Sequence, residues 1–168
     1  MHAIIGAGPM GLAAARQLQR YAIPFVGFEL HSDVGGLWDI SNPYSTMYES
    51  AHLISSKGTT AFAEFPMPAE LPHYPRHQQI GQYFRDYAEH FGLREHYQFN
   101  TRVVQLERLD KGWRLVSECA GGAARMAVRW RADRQRHPAR TQSTDPAGRV
   151  RRRAAAFLGL QVGRHLHR

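Results

Sequence analysis

Residues 2–30 read HAIIGAGPMGLAAARQLQRYAIPFVGFEL, and this stretch decides the fold. A short apolar run, Ala3 to Ile5, leads straight into Gly6, Gly8 and Gly11, the pattern G-x-G-x-x-G. Strong helix formers then run from Leu12 to Arg20 with no breaker among them. A second apolar run ends at Glu29, about 20 residues beyond the glycines. Strand, glycine turn, helix, strand and acid follow each other as in a dinucleotide-binding βαβ unit, and each piece has a physical job there. Gly6 permits a tight turn, Gly8 lets backbone approach a pyrophosphate, and Gly11 brings helix close to strand. The helix N-terminus offers free N–H groups and a positive dipole end to phosphates. Glu29 can accept hydrogen bonds from ribose hydroxyls, and its charge favours FAD or NAD over NADP, whose 2′-phosphate it would repel. Glycine turns alone are common, as structural βαβ turns; the joint spacing is what points to a bound adenine dinucleotide.

Composition sets the frame around that unit. A chain of 168 residues is one domain by size. Its hydrophobic fraction of 43% suits a soluble globular protein. The single cysteine, Cys119, excludes an internal disulfide, fits a reducing compartment and is assigned no role. The opening residues lack a cationic start, and glycines and Pro9 interrupt their apolar run, so no cleaved signal is expected. No stretch approaches the roughly 18 apolar residues of a membrane span, and a cytoplasmic location is expected.

The net charge of +8 belongs to one end only. Residues 1–124 hold 10 basic and 12 acidic side chains, whereas residues 125–168 hold 12 arginines, no lysine and two aspartates. The body therefore has no electrostatic footprint for nucleic acid. The expected division is a partial two-dinucleotide-type domain over 1–124 and an irregular Arg-rich tail over 125–168.

A second glycine turn, HSDVGGLWDI, begins two residues after Glu29. By itself Gly35-Gly36-Leu37-Trp38 could be a turn beside a core tryptophan. Together with GAGPMGL and FEL it resembles the N-terminal segment of flavin-containing monooxygenases. Further on, SSKGTTAFAEFPMP resembles that family's S-K-x-x-x-x-F-x-x-F-P-x-P segment, HQQIGQYFRDYAEHFGL its next helix, and YQFNTRVVQLERLDKGWRLVSE its next pair of strands. The resemblance runs from about Ala3 to Glu118.

It implies an α/β, Rossmann-like FAD-binding βαβ unit with an inserted helix and β-hairpin and an incomplete parallel sheet. It also implies an oxidoreductase: FAD, reduced by NADPH, takes up O2 and passes one oxygen to a soft nucleophile of a small molecule. By matching motif, Gly6, Ala7, Gly8, Pro9, Met10 and Gly11 would line the FAD pyrophosphate. Glu29 would hold the ribose, and Gly36, Leu37 and Trp38 would lie along the cofactor. The family commonly has asparagine just before its S-S-K. Here that position is Ile54, which cannot donate a hydrogen bond to oxygenated flavin or to NADP; the adjacent Ser55 is the remaining polar candidate. The chain holds one G-x-G-x-x-G, so the second such motif, expected to bind NADPH, is not in it.

The residues support the same elements independently. Ile80, Tyr83, Phe84, Tyr87 and Phe91 fall on one face of a helix, as core. The two strand-like runs around Asp110-Lys111-Gly112 predict a hairpin. His73 and His77 are four apart, but Pro72 and Pro75 argue for a loop rather than a helical ligand pair, and no Cys/His cluster has zinc spacing. No metal is expected. Rival readings are another two-dinucleotide flavoprotein, such as a ketone-oxidising monooxygenase or a disulfide reductase, and a small protein whose basic tail grips nucleic acid. The absent C-x-x-x-x-C pair argues against the reductase. The lack of aromatics among the tail arginines argues against a nucleic-acid platform.

The tail itself lacks usable periodicity and too little of it is apolar to offset its ordering entropy. Arginine without lysine, mixed with Ala, Gly and Pro, is what GC-rich DNA yields out of frame. Read from the second base, the codons of RWRADRQRH permit GVLIANG, an apolar strand with a small-residue turn. Those of GRVRRRAAAFLGLQV permit GEFDGELLHSSAYK, which contains F-x-G-x-x-x-H-x-x-x-Y, similar to a signature of the same family. From about Met126 the chain is thus expected to be the shifted-frame product of a longer monooxygenase gene, without activity of its own.

Overall fold

A computed structural model describes residues 2–110 and 112–119, and the course of the strand at 122–128. Strand β1 (His2–Ile5) is followed by helix α1 (Pro9–Arg20) and strand β2 (Phe25–Phe28). A 3-10 turn at Gly36–Trp38 and a four-residue helix, α2 (Lys57–Thr60), precede the long helix α3 (His77–His90). A second 3-10 turn, Leu93–His96, leads into β3 (Tyr97–Gln98), β4 (Thr101–Leu109), β5 (Gly112–Cys119) and β6 (Gly122–Val128).

The first three strands form a parallel sheet in the order β1-β2-β3. β1 and β2 pair from His2 with Phe25 to Ile5 with Phe28, and β2 pairs with β3 at Gly27–Tyr97 and Phe28–Gln98. Alternation along the strands divides their side chains between two layers. Ile4, Phe25 and Tyr97 face the core built by α1 and α3, with Leu12, Ala15, Ile80, Tyr83, Phe84 and Tyr87. Ala3, Val26 and Phe28 face the other way, onto Val103, Trp113 and Leu115 of an antiparallel sheet ordered β4-β5-β6. Helices on one face and a small sheet on the other leave the strand C-termini, and the turns beyond them, as the working edge.

The sequence-derived face of α3 is the buried one: Ile80, Tyr83, Phe84 and Tyr87 are inside, and Phe91 packs against the same cluster. Each such side chain contributes roughly 1.5–3 kcal/mol of apolar burial. The expected loop before α3 ends at His77, the helix's first residue, which is buried while His73 is exposed. The hairpin forms as expected, with Gly112 at a φ of 112°. It differs from the expected pair of strands in gaining β6, which pairs along β5 from Cys119–Gly122 to Trp113–Val128 and so crosses the division expected at residue 124. The remainder of the Arg-rich tail, and with it the shifted-frame reading, lies outside the described residues.

Candidate dinucleotide-binding site

The two glycine turns come together at the C-terminal edge of the parallel sheet. Gly6 leaves β1 at a φ of 95°, in the left-handed region that favours glycine. Gly8 is the N-cap of α1 in extended backbone, no side chain caps the helix, and Pro9 occupies its first turn. Proline lacks an N–H that would be orphaned there anyway. The Met10 and Gly11 amides, with no side-chain cap, stand at the positive end of a 12-residue helix with no acid in its first turn. Gly11 is fixed by contact: a Cβ there would lie 2.0 Å from the Gly6 carbonyl oxygen. At Gly8 a Cβ would have ordinary room, its nearest neighbour being the Gly36 Cα at 3.8 Å. The gap in front of Gly8 is therefore a cradle that any longer side chain would fill, and the uncapped amides facing an open backbone fit a pyrophosphate.

Glu29 directly follows β2 and is 6% exposed. One carboxylate oxygen accepts the Ala7 N–H and the other accepts the His31 N–H at 2.8 Å. The acid thus braces the turn from below, and a carboxylate has further lone pairs with which to accept from a ribose. Beneath the same turn, Tyr97 lays its ring where Gly27 has no side chain; a Cβ on Gly27 would sit 2.3 Å from it. The Tyr97 hydroxyl is buried without a hydrogen-bond partner, and burial, then the Glu29 carboxylate, push its pKa well up.

The second turn is held differently. Gly35 and Gly36 both have positive φ, 112° and 59°. The Gly35 N–H donates to the Ala7 carbonyl at 3.0 Å, tying turn to turn. A Cβ on Gly36 would come within 3.0 Å of the Gly8 Cα. Asp33 and Asp39, on either side, are gripped by Arg85 of α3: Nε lies 2.7 Å from Asp33 and Nη2 3.2 Å from Asp39. Arg94 takes the other oxygen of Asp33, and Ser41 donates its N–H and hydroxyl to Asp39. Burial raises both carboxyls, but for Asp33 the hydrogen bonds from Arg94 and Arg85, and for Asp39 those from Ser41, outweigh it. Both pKa values end below the usual 3.8.

The structure therefore brings together Gly6, Ala7, Gly8, Pro9, Met10, Gly11, Glu29 and Gly36. Leu37 and Met10 are exposed, whereas Trp38 packs partly against the core. Ser55 is exposed, and its hydroxyl shares a hydrogen bond with Thr60 at 2.7 Å. Ile54 beside it is 96% exposed. Sequence reasoning misses the acid pair that brackets GGLW, although D-x-G-G-x-x-D is visible in the string, and misses Arg85, which no local pattern marks. It also misses Lys57, whose ammonium donates to the carbonyls of Pro68, Ala69 and Leu71 and closes the segment after α2. Among the described residues no group of three or more His, Cys, Asp or Glu could hold a metal, and no helix is long and apolar enough to cross a membrane.

A glycine turn feeding an uncapped helix, with an acid after the second strand, defines a dinucleotide-binding domain. The chain belongs to the flavin-binding monooxygenase-like family, whose model matches residues 1–121. Proteins of this family work with FAD and NADPH. Among its relatives, flavin-containing monooxygenase 5 of Oryctolagus cuniculus is 32% identical over 128 residues, covering 71% of this chain and 24% of that protein. A solved flavin-containing monooxygenase from Stenotrophomonas maltophilia superposes with a TM-score of 0.60 at 26% identity, over 71% of this chain and 33% of that one. Cyclohexanone monooxygenase superposes with a TM-score of 0.62 at 25% identity, over 73% and 24% respectively. The chain thus spans about a quarter to a third of the length of these relatives.

Proposed function

We propose that this chain is the FAD-binding part of an NADPH- and O2-dependent flavoprotein monooxygenase acting on a soft nitrogen or sulfur nucleophile of a small molecule. The observation that carries the reading is the meeting of the two glycine turns at the uncapped start of α1. Gly6 to Gly11 would hold the FAD pyrophosphate through backbone amides. Glu29 would take the ribose with the lone pairs that Ala7 and His31 leave, and Gly36, Leu37 and Trp38 would run alongside. When bound, FAD supplies the redox chemistry through which one atom of O2 reaches the substrate at the expense of NADPH. The chain's own contribution is to bind, to orient and to exclude water. Ile54 and Ser55 offer one hydroxyl and one apolar branch where the family commonly has an amide donor. With a single G-x-G-x-x-G in its 168 residues, the one expected to bind NADPH not being among them, the chain does not turn over unaided. Its Arg-rich end is read as a shifted frame of a longer gene.

The test is a titration of FAD against the chain, followed by quenching of flavin fluorescence, in wild type and in Gly8→Val. Gly8 has a φ of −72°, which valine adopts freely, so the variant fills the cradle at the cost of a poorer helix N-cap. Saturable binding in wild type, lost in Gly8→Val while that variant still unfolds cooperatively, is the expected result. No binding by the wild type, or equal binding by both, would sink the reading. For the tail, the coding DNA from codon 110 onward decides: an open shifted frame that spells a second G-x-G-x-x-G is expected, and codons that forbid GVLIANG overturn it.

A further inference from the structure

We propose that Arg85 is a positioning residue: by gripping the carboxylates on both sides of the second glycine turn, it sets how close Gly36 and Trp38 stand to the first. The inference rests on the cofactor reading above for its consequence, but not for its geometry.

The turn needs an external restraint. Two successive residues at positive φ, Gly35 and Gly36, give a segment that glycine makes possible and that glycine also leaves free to move. Its internal hydrogen bonds are the 3-10 bonds from Trp38 N–H to Gly35 and from Asp39 N–H to Gly36, at 3.2 and 3.3 Å. The Gly35 N–H, bonded to the Ala7 carbonyl, anchors its start; the side-chain restraint comes from α3. Gly81 and Arg85 lie one helical turn apart on the same face. At Gly81 the helix approaches so near that a Cβ would meet the Trp38 carbonyl oxygen at 3.2 Å. At Arg85 the guanidinium spans the turn, with Nε on Asp33 and Nη2 on Asp39, six residues apart in the chain and at opposite ends of GGLW.

These contacts are more than a surface ion pair. Asp39 is 6% exposed, and its second oxygen is filled by Ser41, so removing Arg85 would leave a buried carboxylate with a lost cation. Arg94 backs Asp33 from the 3-10 turn before β3, and the His31 ring stands 3.9 Å from Asp39. A planar fork that holds two acids fixes distance and angle together, which a lysine point charge cannot do. Since Gly36 already stands against Gly8, a turn released from the helix changes the width of the cradle in front of Gly8.

The experiment compares the full chain with Arg85→Met and Arg85→Lys, first without ligand, by amide hydrogen exchange. The Gly35, Trp38 and Asp39 amides are measured against the Leu12 amide of α1 in the same sample. Arg85→Met is expected to speed exchange of the turn amides about tenfold while Leu12 is unchanged, with Arg85→Lys in between. FAD affinity, measured by flavin fluorescence, is then expected to weaken about tenfold in Arg85→Met and less in Arg85→Lys. Equal exchange at the turn in all three proteins overturns the clamp. Faster exchange with unchanged FAD affinity overturns its role towards the cofactor. If wild type binds no FAD while Arg85→Met still loosens the turn, the cofactor reading fails and the clamp stands. Should Arg85→Met not fold, Asp39→Asn with Arg85→Lys carries the same exchange comparison.

Discussion

The two glycine turns meet at one place but are built from different materials. The first is held chiefly by main chain, with a strand before it, a helix after it and the Gly6 carbonyl against Gly11, and by one side chain, the Glu29 carboxylate that accepts the Ala7 N–H. The second has no strand or long helix of its own; one main-chain bond, from the Gly35 N–H to the Ala7 carbonyl, ties it to the first, and side chains from α3 and from the segment before β3 hold its two ends. Main-chain restraint comes with the local sequence, whereas side-chain restraint depends on elements that fold elsewhere and dock. The first turn is therefore expected to keep its shape under conditions that release the second.

Substitution at the first turn should give the largest effect. Gly11→Ala places a methyl 2.0 Å from backbone that cannot yield, and should cost about 3 kcal/mol in urea unfolding. A cost under about 1 kcal/mol would show that α1 slides along the sheet, and the contrast between the turns would collapse. Glu29→Ala comes next, since it leaves the Ala7 and His31 amides without their acceptor. It should cost about 2 kcal/mol, and Glu29→Gln, which keeps an acceptor oxygen, less.

Acid sharpens the comparison further. Asp33 and Asp39 titrate below 3.8 in the folded chain, so the unfolded chain binds protons first as the pH falls. Their contribution is complete above that value and drains away as pH drops through the lowered folded values. Amide exchange at Gly35 and Asp39 should accelerate below about pH 4 relative to Leu12, after correction for the intrinsic pH dependence of exchange. In Asp33→Asn/Asp39→Asn that acceleration should be absent; its persistence would assign it to other carboxyls. Ser55→Ala is the smallest expected change. The hydroxyl is exposed and its partner, Thr60, is also bonded to the Ser56 carbonyl, so unfolding should shift by less than about 0.5 kcal/mol.

Much of the fold and of the first turn is legible in the amino-acid string. The strand–glycine–helix–strand order, the acid at Glu29, the buried face of α3 and the turn at Asp110 all rest on neighbours within a few residues, where steric and periodic rules act directly. Recognition of GGLW rests on pattern too, but what holds it does not. Arg85 looks like any exposed cation on an amphipathic helix, and Lys57 like a charge in a polar loop. The third strand of the small sheet, β6, is equally hidden, because its pairing with β5 runs across the change in composition near residue 124.

The sequence by itself determined that residues 6–11 make a glycine turn of the dinucleotide-binding kind and which glycines form it, because φ, spacing and helix polarity are local properties. Only the tertiary structure decided that Glu29 also braces Ala7, that Tyr97 fills the notch over Gly27, and that Arg85 closes on Asp33 and Asp39. Those pairings join residues 22, 70, 52 and 46 positions apart, and at such separations it is the packing of α3 and β3 against the sheet that selects the partner.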